Sequence, residues 1–224
     1  MILLIETSGL NCSVAMTSKH GVLRIAEQSS EHFIHAESLH PLLDELMISS
    51  QLNWSDIRAI AVSIGPGSYT GLRIGVSAAK GLAFGLGIPF IAIRTSEALA
   101  AYAMQKFPTM ERIWSMIDAR RMEVYCAPFD RNGDRVADES PLIVEDGFAA
   151  HEANAIVFVG DGAKKCAPFV RSQDMILEVL PSAAMLAPIA LKKWNAGDFD
   201  DLATCEPFYL KDYIPGVSSK NKLV

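Results

Sequence analysis

The segment formed by residues 58–86 constrains the fold more than any other, because it combines a strand, a glycine turn and a helix in one run. A β-branched apolar run at residues 59–64 predicts a buried strand. A Gly-Pro-Gly turn follows at residues 65–67, and from Gly71 onward apolar residues recur at helical spacing. The N–H groups at the start of such a helix can face an anion. From spacing alone, an anion site and a tight turn that packs the helix against the strand are equally good interpretations.

This turn does not match the two familiar phosphate-binding motifs. A dinucleotide fingerprint requires G-x-G-x-x-G, but Thr70 holds the last glycine position and the glycine comes one residue later, at Gly71. A P-loop requires Gly-Lys-Ser/Thr directly after the turn, whereas Lys80 lies well along the predicted helix. Neither motif therefore assigns a ligand.

The helix predicted at residues 70–86 is apolar on nearly all sides. Its two apolar stripes contain Leu72, Val76, Ala79, Ala83 and Leu86, and Ile74, Ala78 and Leu82. Such a helix is either a central core helix or is covered by another chain. We favour a subunit interface, because 224 residues provide few layers in which to bury the helix. An Ala79→Arg substitution would then abolish partner binding and leave the fold intact.

Composition and charge narrow the class of protein. Half of the residues are hydrophobic, which is typical of an ordered globular chain, and the formal net charge is −6. A protein that binds nucleic acid by itself normally carries a basic excess, so we expect any nucleic-acid contact to belong to a partner. The scattered cysteines, without a C-x-x-C pair, favour reduced thiols and a cytoplasmic location. We expect no signal peptide and no transmembrane span.

Matching segments predict an internal repeat. They are the acids Glu6 and Asp118 at the ends of predicted strands, the turn glycines Gly21 and Gly133 that follow them at the same interval, and the segments AIAVSIGPG (59–67) and AIVFVGDG (155–162). Two halves with the same order of hairpin, strand and glycine turn suggest duplication.

The remaining pattern predicts a chain of alternating strands and helices. Strands are expected at residues 3–5, 12–17, 22–26, 89–93, 113–117 and 122–129, and helices at 36–51, 95–106, 145–152 and 182–194. Thr95 or Ser96 is the expected cap of its helix, Pro41 would lie in the first turn of the 36–51 helix or kink it, and Pro188 would kink the 182–194 helix. Pro108 marks the boundary between halves at residues 1–107 and 108–224, with the 182–194 helix a candidate to pack back on the first half. Residues 216–224 are expected to be mobile.

The run GPGSYTGLRIG, residues 65–75, resembles the signature of the bacterial TsaB (YeaZ) family, which acts in making threonylcarbamoyladenosine on tRNA. The segment at residues 118–125 resembles the family's Asp-Ala-Arg…Glu-Val-Tyr run, and the resemblance covers essentially the whole chain. It implies an α/β fold of two duplicated ribonuclease-H-like halves, as in the actin, hexokinase and Hsp70 class, with a cleft between them.

Within that architecture, the candidate nucleotide-binding residues are Glu6, Thr7, Ser8, Gly65, Gly67, Ser68, Gly160 and Gly162. Glu6 departs from the family pattern, in which Asp is usual, and the extra methylene argues against phosphoryl chemistry because magnesium demands near-ideal geometry. A strand-end acid that accepts backbone N–H bonds is the favoured role for Glu6. Asp118 is expected to face the cleft, where it could orient a ligand or water. We favour the alternative role, a salt link with Arg120 or Arg121.

We assign no catalytic residue and no metal ligand from the sequence. His32, His35 and His40 do not repeat the His-x-x-x-His spacing that the paralogous TsaD proteins present to a metal, so structural or capping roles are favoured. No Ser-His-Asp or Cys-His constellation supplies a nucleophile.

The resemblance implies a non-catalytic scaffold. It would bind a TsaD-like subunit, which transfers threonylcarbamoyl to N6 of adenosine 37 in tRNAs that read codons beginning with A, and a TsaE-like ATPase. The expected contacts lie on the helices at residues 36–51 and 70–86, through Leu39, Leu43, Leu72, Val76, Ala79 and Ala83. The same surface would form a homodimer when the chain is alone. This chain would require no cofactor of its own, and ATP or ADP and magnesium would bind in the assembled complex. It would contact tRNA only through the complex and would have no membrane partner.

Two alternatives remain open. A small ATP-dependent kinase or acyltransferase of the actin-like class, acting on its own, would show nucleotide turnover. A nucleotide-sensing module would bind ATP or ADP without reaction.

Overall fold

The computed structural model describes residues 1–32 and 34–211, which form two α/β halves, each built on a five-stranded mixed sheet. The first sheet contains β1 (Ile2–Glu6), β2 (Asn11–Ser18), β3 (Gly21–Ser29), β4 (Ala59–Gly65) and β5 (Phe90–Arg94). The second contains β6 (Arg112–Asp118), β7 (Glu123–Asp130), β8 (Ser140–Ile143), β9 (Ile156–Val159) and β10 (Met175–Leu177). The helices are α1 (His35–Ser50), α2 (Tyr69–Leu86), α3 (Thr95–Lys106) and α4 (Ala187–Ala196), with short 3₁₀ helices at Trp54–Asp56, Ala163–Phe169 and Ala183–Leu186.

The two sheets share one topology, which confirms the duplication predicted from the sequence. The strand order is β3-β2-β1-β4-β5 in the first sheet and β8-β7-β6-β9-β10 in the second. The central strand of each sheet pairs antiparallel with the strand that follows it and parallel with the fourth strand of its half. Glu6 and Asp118 end the two central strands, so they occupy equivalent positions. This is the ribonuclease-H-like arrangement of the actin, hexokinase and Hsp70 class.

Helix α3 lies between the two sheets. Its residues Ala98, Leu99 and Ala103 belong to one buried cluster that also contains Leu4 of β1 and Val157 of β9. Helix α4 and the 3₁₀ helix before it lie against the first sheet on this same side. Helices α1 and α2 cover the opposite face of the first sheet. Among the described residues, no helix combines the length and apolar character needed to cross a membrane.

The helix predicted at residues 145–152 is wrong. The segment forms consecutive turns, in which Phe148, Ala150 and Glu152 donate backbone N–H bonds to carbonyls three residues earlier. Gly147 has a φ of +78°, which lies outside the α-helical region and interrupts any helix there.

Three smaller predictions also differ from the structure. Helix α3 begins at Thr95 itself, so neither Thr95 nor Ser96 caps it. The helix predicted at residues 182–194 is a 3₁₀ helix followed by α4, and Pro188 lies in the first turn of α4, where its missing N–H costs nothing. Pro41 lies beyond the first turn of α1, on the exposed side, so the first-turn alternative is wrong and the kink stays a prediction. The tail at residues 216–224 lies outside the described residues.

Candidate functional site

The cleft between the halves opens where β1, β4, β6 and β9 end, and loops from both sheets meet there. Ligands of open α/β sheets bind at this edge. The cavity measures about 980 Å³, and its walls include Ser8, Gly67, Asp118, Asp161 and Tyr209. Four residues singled out from the sequence therefore line one cavity: Ser8, Gly67, Ser68 and Asp118.

The first glycine turn packs tightly against the loop that follows β1. Gly65 has a φ of +108°, and a Cβ on Gly67 would lie 2.5 Å from the Ser8 carbonyl oxygen. The Ser68 N–H donates to that same oxygen at 2.7 Å, and the Ser68 Oγ accepts the Gly71 N–H at 3.2 Å. Because these donors are engaged within the chain, the geometry favours close packing over a ready-made anion site.

Glu6 is fully buried at the end of β1. Its Oε1 accepts the Ser8 N–H at 2.6 Å, which is the strand-end role favoured from the sequence. Its Oε2 has no hydrogen-bond partner among the described residues. Burial raises the pKa of Glu6, and the polar groups of Ser8 and Ser63 oppose this shift with smaller effects. A carboxyl driven toward its protonated form is a poor ligand for a cation.

Asp161 reaches the same region from the second half, and the sequence analysis did not select it. Its Oδ1 accepts the Asp118 N–H at 2.9 Å, and a Cβ on Gly9 would lie 3.7 Å from its Oδ2. Burial raises the pKa of Asp161 to about 6. The charge of Asp161 in turn raises the pKa of Glu6. Two acids with raised pKa values therefore occur in this region, Asp161 in the wall of the cavity and Glu6 buried at the end of β1.

Asp118 pairs with a different cation from the one expected. Its Oδ1 accepts from the Lys165 Nζ at 2.8 Å and from the backbone N–H of Arg120. The predicted salt link to the side chain of Arg120 or Arg121 is therefore wrong. Lys165 replaces it because the 3₁₀ helix at Ala163–Phe169 brings this lysine against β6 and β7.

The second glycine turn also packs against its own sheet. Gly160 has a φ of +127°, and a Cβ there would lie 2.4 Å from the Met116 carbonyl oxygen. The Gly162 N–H donates to the same oxygen at 2.8 Å, and a Cβ on Gly162 would lie 2.8 Å from the Val124 Cγ1. Both glycines thus permit the close approach of β9 and β6.

A C-terminal segment, residues 205–211, crosses the mouth of the cleft, and we call it the strap. The Phe208 N–H donates to the Ile64 carbonyl at the end of β4, at 2.7 Å. Lys211, at the far end, forms an ion pair with Glu123 of β7. The strap therefore contacts both halves.

Side chains of the strap stack on the first half. The rings of Tyr209 and Tyr69 lie 4.8 Å apart between centroids. The Arg94 guanidinium lies 3.2 Å from the centroid of the Phe208 ring. The Lys80 Nζ of α2 donates to the first carbonyl of the strap at 3.0 Å. Sequence analysis missed these contacts, although two adjacent aromatic residues near a polar chain end are a visible signal.

The six side chains predicted to contact a partner are buried in the chain's own core, so that prediction is wrong at the level of residues. They are Leu39, Leu43, Leu72, Val76, Ala79 and Ala83. All except Leu72 belong to one cluster with strand residues such as Leu3 and Val14. Helices α1 and α2 cover one face of the first sheet, so this sheet buries the apolar side of α2. The length of the chain alone did not indicate this packing.

The opposite face of these helices carries the exposed apolar groups. Phe84 of α2 and Ile48 of α1 are 83% and 78% exposed, more than any other large hydrophobic residue that the structure describes. Helices α1 and α2 begin at the same end, because a Cβ on Gly71 would lie 3.0 Å from the His35 Cδ2. Phe84 and Ile48 therefore both lie toward the far end of two neighbouring helices.

The histidines do not converge. His35 is buried, and its Nε2 lies 2.9 Å from the Gly9 carbonyl oxygen, whereas His32 and His40 are exposed. Within the described ranges, no group of three or more His, Cys, Asp or Glu side chains is arranged to hold a metal ion.

Duplicated ribonuclease-H-like halves around one cleft define a protein of the actin, hexokinase and Hsp70 class. Residues 25–171 match the family model described as "TsaD: tRNA N6-adenosine threonylcarbamoyltransferase". The chain belongs to the TsaB (YeaZ) family.

Individual relatives support this assignment. The chain is 30% identical over 223 residues to the tRNA threonylcarbamoyladenosine biosynthesis protein TsaB of Escherichia coli K12, covering 95% of each. It is 34% identical over 151 residues to TsaB of Bacillus subtilis 168, covering 65% of this chain and 63% of that protein. YeaZ from Pseudomonas aeruginosa matches with a TM-score of 0.81 and 28% identity, covering 93% of this chain and 99% of that one.

Proposed function

We propose that this chain is a non-catalytic scaffold subunit required for threonylcarbamoylation of N6 of adenosine 37 in tRNAs that read codons beginning with A. It binds a TsaD-like catalytic subunit in the cytoplasm, and a TsaE-like ATPase joins the complex. The names of its relatives support a role in this modification. The contribution of this chain is a surface for assembly, and the reacting groups belong to its partners.

The exposed face of α1 and α2 is the observation that carries the proposal. The large apolar side chains of Phe84 and Ile48 are exposed to water. Burying each of them against a partner would contribute about 1.5–3 kcal/mol to binding. Gly81 and Gly85 flank Phe84, and a Cβ on either would meet nothing within 4 Å. No contact with the residues that the structure describes requires these glycines, although glycine in a helix costs about 1 kcal/mol relative to alanine. They allow another helix to approach Phe84 closely, so we assign Phe84, Ile48, Gly81 and Gly85 to the partner surface.

The interior of the cleft supports a non-catalytic role. Burial raises the pKa of Glu6, so its carboxyl group is a poorer ligand for a metal ion than an exposed carboxylate would be. The Ser68 N–H is already bonded within the chain. The formal net charge of −6 likewise supports tRNA contact through the partner.

A Phe84→Arg variant tests the proposal. It should co-elute with a TsaD-like protein much less than the unchanged chain does, because the charge would be buried in the interface. Ile143→Arg is the matched control, since Ile143 is 61% exposed and lies in the second half. Equal co-elution of Phe84→Arg and Ile143→Arg with the partner would contradict the proposed surface.

The same face would pair two copies of the chain when no partner is present. Sedimentation should then detect a homodimer whose dissociation constant rises in Phe84→Arg and stays unchanged in Ile143→Arg.

The alternative function is nucleotide binding, or a small ATP-dependent kinase or acyltransferase reaction of the actin-like class carried out by the chain alone. The cavity of about 980 Å³ beside Gly67 and Ser68 is the observation that favours it. Calorimetry with Mg-ATP and Mg-ADP would detect binding, and phosphate release by the purified chain would reveal turnover. Turnover would replace the scaffold proposal.

A further inference from the structure

The strap packs so closely against the first glycine turn that position 65 has no room for a side chain. A Cβ on Gly65 would lie 2.6 Å from the Phe208 carbonyl oxygen, which no real side chain tolerates. The Phe208 N–H donates to Ile64, so both polar backbone groups of Phe208 lie against the end of β4. The strap backbone therefore occupies the approach to the turn.

Arg94 connects this contact to the second half. Its guanidinium covers the Phe208 ring, and its Nη1 lies 3.9 Å from the Oε2 of Glu139, which precedes β8. Glu139 is buried, and the Arg135 Nη1 lies 3.7 Å from the same oxygen, so a shift of Arg94 would remove one of the two cations beside this carboxyl group. Phe208, Arg94 and Glu139 thus form a continuous contact from one half to the other.

The end of the strap makes a second, separate contact with the second half. Lys211 pairs with Glu123 at the start of β7. The Glu123 carbonyl accepts from the Lys165 Nζ at 2.8 Å, and the same ammonium binds Asp118. This end of the strap is therefore linked to the acid that ends the central strand of the second sheet.

We infer that the strap, residues 205–211, is an intramolecular clamp that crosses the mouth of the cleft and holds the two halves in one relation. Its anchors are the Phe208 contacts with Ile64 and Arg94, the stacking of Tyr209 on Tyr69, and the Lys211 ion pair. Phe208 and Tyr209 also line the cavity beside Gly67, so a ligand in the cavity would contact the strap. The inference concerns this chain alone and does not depend on the proposed function.

Hydrogen exchange of the full chain tests the clamp. A Phe208→Ala/Tyr209→Ala variant removes both aromatic anchors, so amides at residues 64–70 and at the hairpin of residues 118–125 should exchange at least about tenfold faster, as their closed state loses about 1.4 kcal/mol or more. Amides of β9, distant from the strap, should keep their rates and report that the variant is folded. Unchanged rates at both sites, or an increase confined to the strap, would overturn the inference.

A single substitution at an exposed residue distinguishes loss of the clamp from unfolding of the whole chain. Lys211→Ala removes one exposed side chain and should accelerate exchange at the 118–125 hairpin while leaving residues 64–70 protected. Lys164→Ala is its control, because Lys164 is another exposed lysine of the second half and pairs with Glu178, which is not part of the strap. Equal exchange at the hairpin in the two lysine variants would count against the clamp.

Discussion

Gly75 of α2 and Thr7 of the loop after β1 are in such close contact that a Cβ on Gly75 would lie 2.1 Å from the Thr7 Oγ1. That hydroxyl donates to the Gly71 carbonyl at 2.8 Å, one helical turn earlier. Thr7 therefore fixes the first turns of α2 on the sheet. As a result, the opposite side of the helix, with Phe84, faces solvent.

Gly75→Ala should destabilise the chain by about 1–3 kcal/mol, because the added methyl group overpacks the contact with Thr7. Gly81→Ala is the matched control on the same helix. It should stabilise the isolated chain by about 1 kcal/mol through helix propensity, since a Cβ there meets nothing within 4 Å. Urea denaturation of both variants measures the difference. Equal stabilities would contradict the Thr7 contact.

Ala79→Arg should prevent folding or cost more than about 4 kcal/mol, because Ala79 is fully buried and the charge would have no partner. Phe84→Arg should change the free energy of unfolding by about 0.5 kcal/mol or less, since its side chain is exposed. Thermal unfolding followed by circular dichroism distinguishes them. A stable, folded Ala79→Arg protein would restore the original interface hypothesis.

The contribution of Asp161 to stability should disappear as pH rises. Its pKa is raised from the usual 3.8 to about 6. The contribution of this group to the free energy of unfolding is therefore fully present below about pH 3.8 and is lost as the pH rises through about 6. The free energy of unfolding of Asp161→Asn, relative to that of the unchanged chain, should therefore be about 2 kcal/mol higher at about pH 7 than at about pH 4. Urea denaturation at the two pH values provides the measurement.

Asp174→Asn is the control of opposite sign. The pKa of Asp174 is lowered by hydrogen bonds from Arg171 and from backbone N–H groups, which outweigh its desolvation, so its contribution is present above its ordinary pKa and is lost as pH falls. This variant should lose stability relative to the unchanged chain at neutral pH. A shift of the same sign in both variants would refute the assignment of Asp161.

Arg94→Met should destabilise the chain by about 1 kcal/mol. The buried Glu139 would lose one of its two neighbouring cations and keep Arg135, and the Phe208 ring would lose the guanidinium that covers it. Glu139→Gln in the same chain should recover much of that loss. A double-mutant cycle of unfolding free energies tests the coupling. Additive effects of the two substitutions would exclude it.

The regular elements were predictable because their signals are local. The helix expected at residues 70–86 is observed at Tyr69–Leu86, and the strand expected at residues 59–64 is observed at Ala59–Gly65. The repeat was also visible, since equivalent acids and glycines recur in the same order. The predicted helix at residues 145–152 failed because local composition did not register the left-handed conformation of Gly147.

The candidate site could be predicted only in part. Gly65, Ser8 and Asp118 follow strands that end at one edge of each sheet, so their convergence followed from topology. Which side of α2 is covered depends on strands from distant parts of the chain, and the periodicity of the helix holds no information about them. The adjacent aromatic residues Phe208 and Tyr209 are visible in the sequence, but their partners are not, because their contacts are remote along the chain.

Helix α3 belongs to the first half by sequence, yet much of its apolar surface is in contact with the second sheet. A chain cut after this helix would leave an apolar face on each fragment that the other fragment covers in the intact protein. Separate expression of the two repeats should therefore cost each of them part of its hydrophobic core.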